Sequence, residues 1–335
     1  MLSYDIKTQQ KPVSYAGYLK RRLLRLLTMN TIPQLDISDF DSHRTEFVAQ
    51  FGAAYQQWGF AGITGHGLEP DLIQTAFDTA RDFFALTEDQ KMAYESTTLG
   101  KSRGYIPFGT EKAKDSEYSD LKEFFHVGRE VAGVVHLSAN VWPAEISHFR
   151  EVFGNLYAGL DQLAQKVLQV VAVYLELPID YFKLKVNHGE ALLRILHYPP
   201  ILDQHTPHLR AAAHEDINLM TLLVGSEQDG LEVLSRRGEW VPINMIEGTI
   251  VCNVGDMLQR LTNKKLPSTT HRVVNPQGDK ARNSRYSIPF FMHPNPDASL
   301  ACLPQCVDQD RPLLYAPTTA DAYLQQRLRQ IGLLK

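Results

Sequence analysis

Apolar residues recur at helical spacing through the first half of the chain and at shorter, alternating spacing through the second. Residues 31–37 alternate like a short strand entering a sheet. Over 42–58, Phe47, Phe51, Ala54, Tyr55 and Trp58 repeat on one side of a predicted helix. Residues 58–67 read as a strand closed by a glycine-rich turn, which makes His66 a turn residue rather than a ligand. A second helix is predicted over 69–86, with Pro70 in its first turn and Leu72, Ala76, Ala80, Phe83 and Phe84 on its apolar side. Thr87 then caps a short helix. The longest helical pattern spans 144–176, through Phe149, Val152, Leu160 and Val171, and Pro178 stops it.

After a turn at Asn187-His188-Gly189 the period changes. A strand runs from Ala191 to Tyr198 and ends at Pro199-Pro200. Short strands follow over 219–224, 231–234, 240–243, 248–254, 268–274 and 285–292, several of them separated by Gly, Asp-Gly or Asn-Pro turns. Many short strands with polar turns predict a mainly β fold with flanking α-helices, its core a double-stranded β-helix, or jelly roll. No repeat or low-complexity linker divides the chain, so one domain is expected over 29–335. Within it, 29–186 is mainly helical, 187–300 forms the strand-rich core and 301–335 is a tail. Residues 1–28 stand apart, with six basic residues against the single acid Asp5 and a leucine-rich side. That composition is compatible with a targeting segment; an extension ahead of a second possible start at Met29 is the simpler reading.

Composition narrows the class. The 335 residues are 44% hydrophobic and 21% charged, as in soluble globular proteins. A net charge of -4 lacks the basic footprint of a nucleic-acid partner. No apolar run approaches the roughly 18–20 residues needed to span a bilayer, so no membrane partner is expected. Cys252, Cys302 and Cys306 are odd in number and contain no Cys-x-x-Cys pair. They suggest neither a disulfide framework nor a structural zinc site, and a reducing, cytoplasmic setting is expected.

The chemistry concentrates in Ala213-His214-Glu215-Asp216-Ile217, in His271, and in Arg285-Tyr286-Ser287. Positions i and i+2 of an extended strand share a face, so His214 and Asp216 are able to meet at one point. With His271 they make a two-His-one-carboxylate set, which leaves metal positions open and suits non-haem Fe(II). Zinc is the alternative for such a set, although structural zinc sites close with a fourth ligand. His205 and His208 precede His214 closely, but their setting reads as a solvent-facing loop. Arg285 and Ser287 also share a strand face, and a guanidinium fork matches a carboxylate.

These motifs, together with 253–263 (Asn-Val-Gly-Asp-Met-Leu-Gln-Arg-Leu-Thr-Asn), resemble the isopenicillin N synthase-like branch of the 2-oxoglutarate/Fe(II)-dependent dioxygenases over roughly residues 30 to 300. The resemblance implies Fe(II) held by His214, Asp216 and His271. It also implies the distal carboxylate of 2-oxoglutarate held by Arg285 and Ser287, with Tyr198 as a further contact. The family's common Asn-x-Tyr is here Leu196-His197-Tyr198, so the asparagine contribution is missing. The implied reaction consumes O2, decarboxylates 2-oxoglutarate to succinate and CO2, and hydroxylates, desaturates or cyclises a small molecule. In relatives the region matching 101–126 lies across the barrel mouth, which nominates Arg103, Tyr105 and His126 as substrate contacts. The tail after Pro304 is the other segment able to fold over the mouth. Two alternatives stay open on the motifs alone: an oxidase that does not use 2-oxoglutarate, whose Arg-x-Ser pair binds substrate, and a non-catalytic jelly-roll binding protein.

Overall fold

The structure, a computed structural model, describes residues 31–98, 101–113, 117–203, 205–225, 229–243 and 247–330. The basic segment 1–28, with its targeting or extension reading, lies outside the described residues. Twelve strands are present among them: β1 (Gln34–Asp36), β2 (Phe60–Thr64), β3 (Gly104–Ile106), β4 (Glu123–Gly128), β5 (Leu192–Tyr198), β6 (Ala211–His214), β7 (Met220–Val224), β8 (Leu231–Leu234), β9 (Trp240–Pro242), β10 (Ile250–Val254), β11 (His271–Val273) and β12 (Arg285–Met292). Eight form one sheet in the order β1-β2-β10-β7-β12-β5-β4-β3, and four form a second in the order β6-β11-β8-β9. The main helices are α1 (Arg44–Trp58), α2 (Pro70–Phe84), α3 (Phe149–Tyr174), α4 (Asp256–Leu261) and α5 (Ala320–Gln330).

Alternation along the strands divides the interior in two. One face of the large sheet (Phe125, Val127, Leu193, Ile195, Leu222, Ile288, Phe290) joins the buried faces of α1, α2 and α3 in one large core. The other face (Phe60, Phe124, Leu196, Tyr198, Val251) meets Ala211, Leu231, Val233 and Val273 of the small sheet in a second core. The two sheets therefore sit face to face, and the helices cover the outer side of the larger one. α3 buries Phe149, Phe153, Leu156, Leu160 and Val167. It starts at Phe149 rather than the predicted 144, and the Ala144 N–H ahead of it donates to the Tyr94 hydroxyl at 2.9 Å. α1 ends at Gly59, which adopts φ +67°, and a Cβ there would lie 2.6 Å from the Pro267 carbonyl. That close approach brings the end of α1 and β2 against the segment leading to His271, and Phe60 meets the His271 ring edge-on at 5.5 Å.

Two local features bear on the site. The stretch over 101–126 contributes β3 and β4, every residue of which is buried. β12 carries Pro289 in a strand paired on both sides, which is unusual because proline cannot donate to a ladder. The β12–β5 pairing accordingly skips Ile288 and Pro289 and resumes in the same register at Phe290. No helix of the described residues is long and apolar enough to cross a membrane, and Cys252, Cys302 and Cys306 are free.

Candidate active site

β6 stops at His214, so the assumption that His214 and Asp216 lie in one strand does not hold. They converge by another route. His214 and His271 are cross-strand partners in the antiparallel β6–β11 pair, with ring centroids 4.4 Å apart. Asp216 lies just past the strand end, where its carbonyl accepts the Asp256 N–H at 2.7 Å. Its Oδ2 accepts Thr221 Oγ1–H at 2.6 Å and Asn253 Nδ2–H at 2.8 Å. Ligand atoms of His214, Asp216 and His271 all lie within 4.8 Å of one another.

The hydrogen bonds leave the right atoms for a metal. His214 Nδ1 lies 2.7 Å from the Ala212 carbonyl, and His271 Nδ1 lies 3.1 Å from the Thr269 carbonyl. Each carbonyl only accepts, so both Nδ1 atoms carry the proton and both Nε2 lone pairs remain for a cation. Asp216 Oδ2 is occupied by its two donors, while Oδ1 faces His271 Nε2 at 3.9 Å. Burial, then the neighbouring His271, lowers the His214 pKa to about 4. Burial opposes ionisation of Asp216, but the two imidazoles and its hydrogen bonds outweigh that and hold its pKa below the usual value. Fe(II) ligation needs an imidazole with a free lone pair and an ionised carboxylate, and His214 and Asp216 are shifted toward those states.

Arg285, Ser287 and Tyr198 form a second group on the inner face of the large sheet. Arg285 and Tyr198 are register partners. The guanidinium lies 5.0 Å from the Tyr198 ring centroid, and Nη1 donates to Ser287 Oγ at 3.3 Å. Arg285 is 2% exposed. Its Nε has no partner, and among the described residues no carboxylate pairs with it. Sequence reading missed Arg210, a second fully buried arginine whose Nη2 donates to the Asn283 carbonyl at 2.9 Å. Burial first, and then the charge of Arg285, pulls its pKa down to about 10.

A cavity of about 660 Å³ opens over His214 and Asp216. Of the three nominated substrate contacts it takes in one, His126; Arg103 and Tyr105 do not line it. The register explains the difference. Gly104 pairs with His126 and Tyr105 with Phe125, so Tyr105 projects to the helix-covered face, where its hydroxyl bonds Glu123. Arg103 is fully buried behind the cavity wall, bound to Glu190 Oε1 at 2.7 Å and to the Arg129 carbonyl at 2.9 Å. His126 presents Nε2 to Arg194 Nε–H at 2.8 Å, and burial followed by the Arg194 charge lowers its pKa to about 3. Arg194 also reaches both oxygens of Glu111, at 3.1 and 3.3 Å, and Lys122 binds Glu111 at 2.6 Å and Asp120 at 2.8 Å. Asp120 in turn accepts the Ala212 N–H of the His214 strand at 3.0 Å. His205 is exposed, and His208 is half-buried with Nδ1 2.8 Å from the Ser119 carbonyl. Neither belongs to the metal-ligand group.

Comparison with known proteins agrees with this geometry. Residues 32–145 match the amino-terminal domain of the non-haem dioxygenases of morphine synthesis, and residues 189–294 match the 2OG-Fe(II) oxygenase superfamily. The 2-oxoglutarate-Fe(II) type oxidoreductase hxnY of Emericella nidulans is 32% identical, over 89% of this chain and 89% of its own. The chain belongs to the 2OG-Fe(II) oxygenase superfamily. A crystal structure of a 2OG-Fe(II) oxygenase family protein from Caulobacter crescentus is 45% identical with a TM-score of 0.82, covering 90% of this chain and 99% of that one. A full-length Neurospora crassa protein, solved in complex with alpha-KG, is 30% identical with a TM-score of 0.81, covering 89% and 95%. The same protein has also been solved with alpha-KG and thymine. This oxygenase has the mixed α/β fold of those structures. It is a non-haem iron dioxygenase that uses Fe(II), 2-oxoglutarate and O2 to oxidise a small molecule.

Proposed function

We propose that His214, Asp216 and His271 hold the Fe(II), and that Arg285, aided by Ser287 and Tyr198, receives the distal carboxylate of 2-oxoglutarate. The observation that carries this reading is the set of three ligand atoms within 4.8 Å of one another, each side chain fixed by a hydrogen bond on its other atom. When bound, the iron supplies the oxidising chemistry. The chain's own residues orient the ligands, counter the cosubstrate charge and shape the space in which substrate sits. Two sheets enclosing a common core support a double-stranded β-helix at the centre of a single domain over 29–335.

The substrate we propose is a neutral, polar small molecule. The buried and half-buried cations that line the cavity are already matched by carboxylates: Arg194 and Lys122 by Glu111 and Asp120, and Arg327 by Asp256. Lys112 is exposed at the rim. A substrate carboxylate would therefore enter a site with no spare buried cation, at the desolvation cost of an unpaired ion. Hydrogen-bonding groups and the Phe291 ring in the same wall suit an uncharged heterocycle, and thymine occupies the N. crassa relative. The test is anaerobic Fe(II) titration of the wild type and the three ligand variants, followed by 2-oxoglutarate-dependent succinate formation with matched neutral and carboxylated heterocycles. Stimulation by the carboxylated members alone refutes the substrate class. Iron binding that survives loss of all three side chains refutes the metal assignment.

A further inference from the structure

The wall of the cavity opposite the sheets comes from α5, through Ala320, Leu324, Gln325 and Leu328. The apolar seat of this helix is small: Ala320 is buried, and Tyr323 and Leu324 pack half-buried against the large core. Polar tethers add to it. Tyr323 donates its hydroxyl to Asp256 Oδ2 at 3.1 Å, and Arg327 Nη2 lies 3.3 Å from the same oxygen. The Asp256 side chain is 7% exposed, so both contacts are largely shielded from water. Arg260, one turn further along α4, stacks on Tyr323 at 5.0 Å and on Tyr315 at 4.8 Å, and donates to the Ala316 carbonyl at 2.8 Å. Asn263 Nδ2 meets the carbonyls of Cys306, Arg311 and Pro312 at 3.1–3.2 Å, and its Oδ1 accepts the Leu314 N–H at 3.0 Å.

The conspicuous 253–263 motif thus faces two ways. Asn253 and the Asp256 backbone hold Asp216, while the Asp256, Arg260 and Asn263 side chains hold the tail. We propose that α5 is the wall that selects the prime substrate by size, and that Asp256 is the positioning residue that seats it over the metal-ligand group. This rests on the cavity being the substrate site. It makes entry to that site depend on a tether of one carboxylate, one phenol and one guanidinium.

The test needs no substrate, so its failure is separable from failure of the neutral-substrate reading. In Asp256→Asn and Tyr323→Phe, backbone hydrogen exchange of residues 320–330 should quicken roughly ten- to hundredfold, the equivalent of one lost charge-assisted hydrogen bond. Exchange in β5 and β12 should not move. A Leu192→Cys probe in the cavity wall, read by peptide mass mapping, should discriminate strongly between iodoacetamide and a bulky biotin-maleimide while the tether is intact. In either tether variant that discrimination should fall by about tenfold or more, from the same lost bond. Tyr323→Phe alters an atom outside the core and keeps the test available if Asp256→Asn does not fold. Unchanged tail exchange, unchanged size discrimination, or a cavity cysteine that stays inert when the tether is cut would each overturn the proposal.

Discussion

Replacing Arg285 with methionine should weaken 2-oxoglutarate binding and, in the same protein, stabilise the ligand-free fold. The guanidinium is 2% exposed, has an unpartnered Nε, and is met by a hydroxyl and a ring rather than a carboxylate. An ion desolvated without a counter-charge costs several kcal/mol, and an unbranched apolar residue of similar length removes that cost. With the lost Ser287 and Tyr198 contacts set against it, a net gain of about 1–2 kcal/mol follows, read as a rise of a few degrees in Tm. The opposite effect appears on binding. Removing one partner of a desolvated charge pair costs about 2–5 kcal/mol, or roughly 30- to 5,000-fold in Kd. Thermal unfolding of metal-free protein over a 2-oxoglutarate series reads both quantities at once, because a ligand at about 100 times its Kd stabilises by about 2.7 kcal/mol. The wild type should start lower and climb with ligand; Arg285→Met should start higher and stay flat. A variant that starts lower would mean that the protein itself compensates the charge. A variant that climbs like the wild type would place the cosubstrate anion elsewhere.

Other substitutions separate the parts of the site. Asn253→Ala removes one of two donors on Asp216 Oδ2 and should lower Fe(II) affinity by about 10- to 100-fold, as outer contacts to metal ligands do; equal affinity in anaerobic calorimetry would refute that role. Tyr105→Phe should lower stability by about 1 kcal/mol through its lost Glu123 bond and leave substrate-stimulated succinate formation unchanged, whereas Arg194→Met should impair stimulation and spare basal turnover of 2-oxoglutarate. Glu123 is opposed by burial, but His197, Lys91 and Tyr105 hold its pKa below the usual 4.5. Its stabilisation is therefore full above about pH 4.5 and is lost as the pH falls through the lowered native value. Glu123→Gln should be less stable by about 1.5–3 kcal/mol near neutrality, because Lys91 loses its buried partner and keeps only the exposed Glu88, and should lose stability less steeply than the wild type in acid; parallel acid limbs would count against this.

The candidate metal-ligand group is legible in the sequence because it is written in local spacing plus one distant histidine, and because the period-2 pattern fixes the strands around it. β8 and β12 lie at their predicted bounds. Even so, strand parity alone does not bring His214 and Asp216 together: the strand ends at His214, and contacts from Asp256, Thr221 and Asn253 turn Asp216 inward. Arg103 and Tyr105 fall away from the cavity because a polar-aromatic stretch does not reveal its pairing partner. Only the β3–β4 register decides which face Tyr105 takes, while Arg103, just ahead of β3, is held by Glu190 and the Arg129 carbonyl. Nor could spacing reveal the Arg194–Glu111–Lys122 cluster, whose arginine and glutamate are 83 positions apart in the chain. Helix α4 was hidden in a motif noticed for its resemblance rather than for a helical period.

One rule connects these placements. In β4, β5 and β12 a single parity carries the packing and the other carries the chemistry. Phe125, Val127, Leu193, Ile195, Ile288 and Phe290 sit in the helix-facing core. The alternate positions supply His126, Arg194, Tyr198, Arg285, Ser287 and Phe291, strung along one surface from the proposed cosubstrate group to the cavity. A one-residue slip of β12 against β5 would turn Arg285 toward the helices and Phe290 toward the site, so the hydrophobic core that stabilises the sheet also aims the functional side chains. Pro289 sits on the functional parity opposite Arg194, at the point where the β12–β5 pairing lapses without a shift in register. The ladder yields there beside the cavity, while its two ends keep Arg285 against Tyr198 and Phe291 against Leu192. Cutting a side chain on the packing parity, such as Phe290, should therefore lower stability by about 3–5 kcal/mol and disturb every inner-face residue together. Changes on the functional parity should alter one binding step at a time.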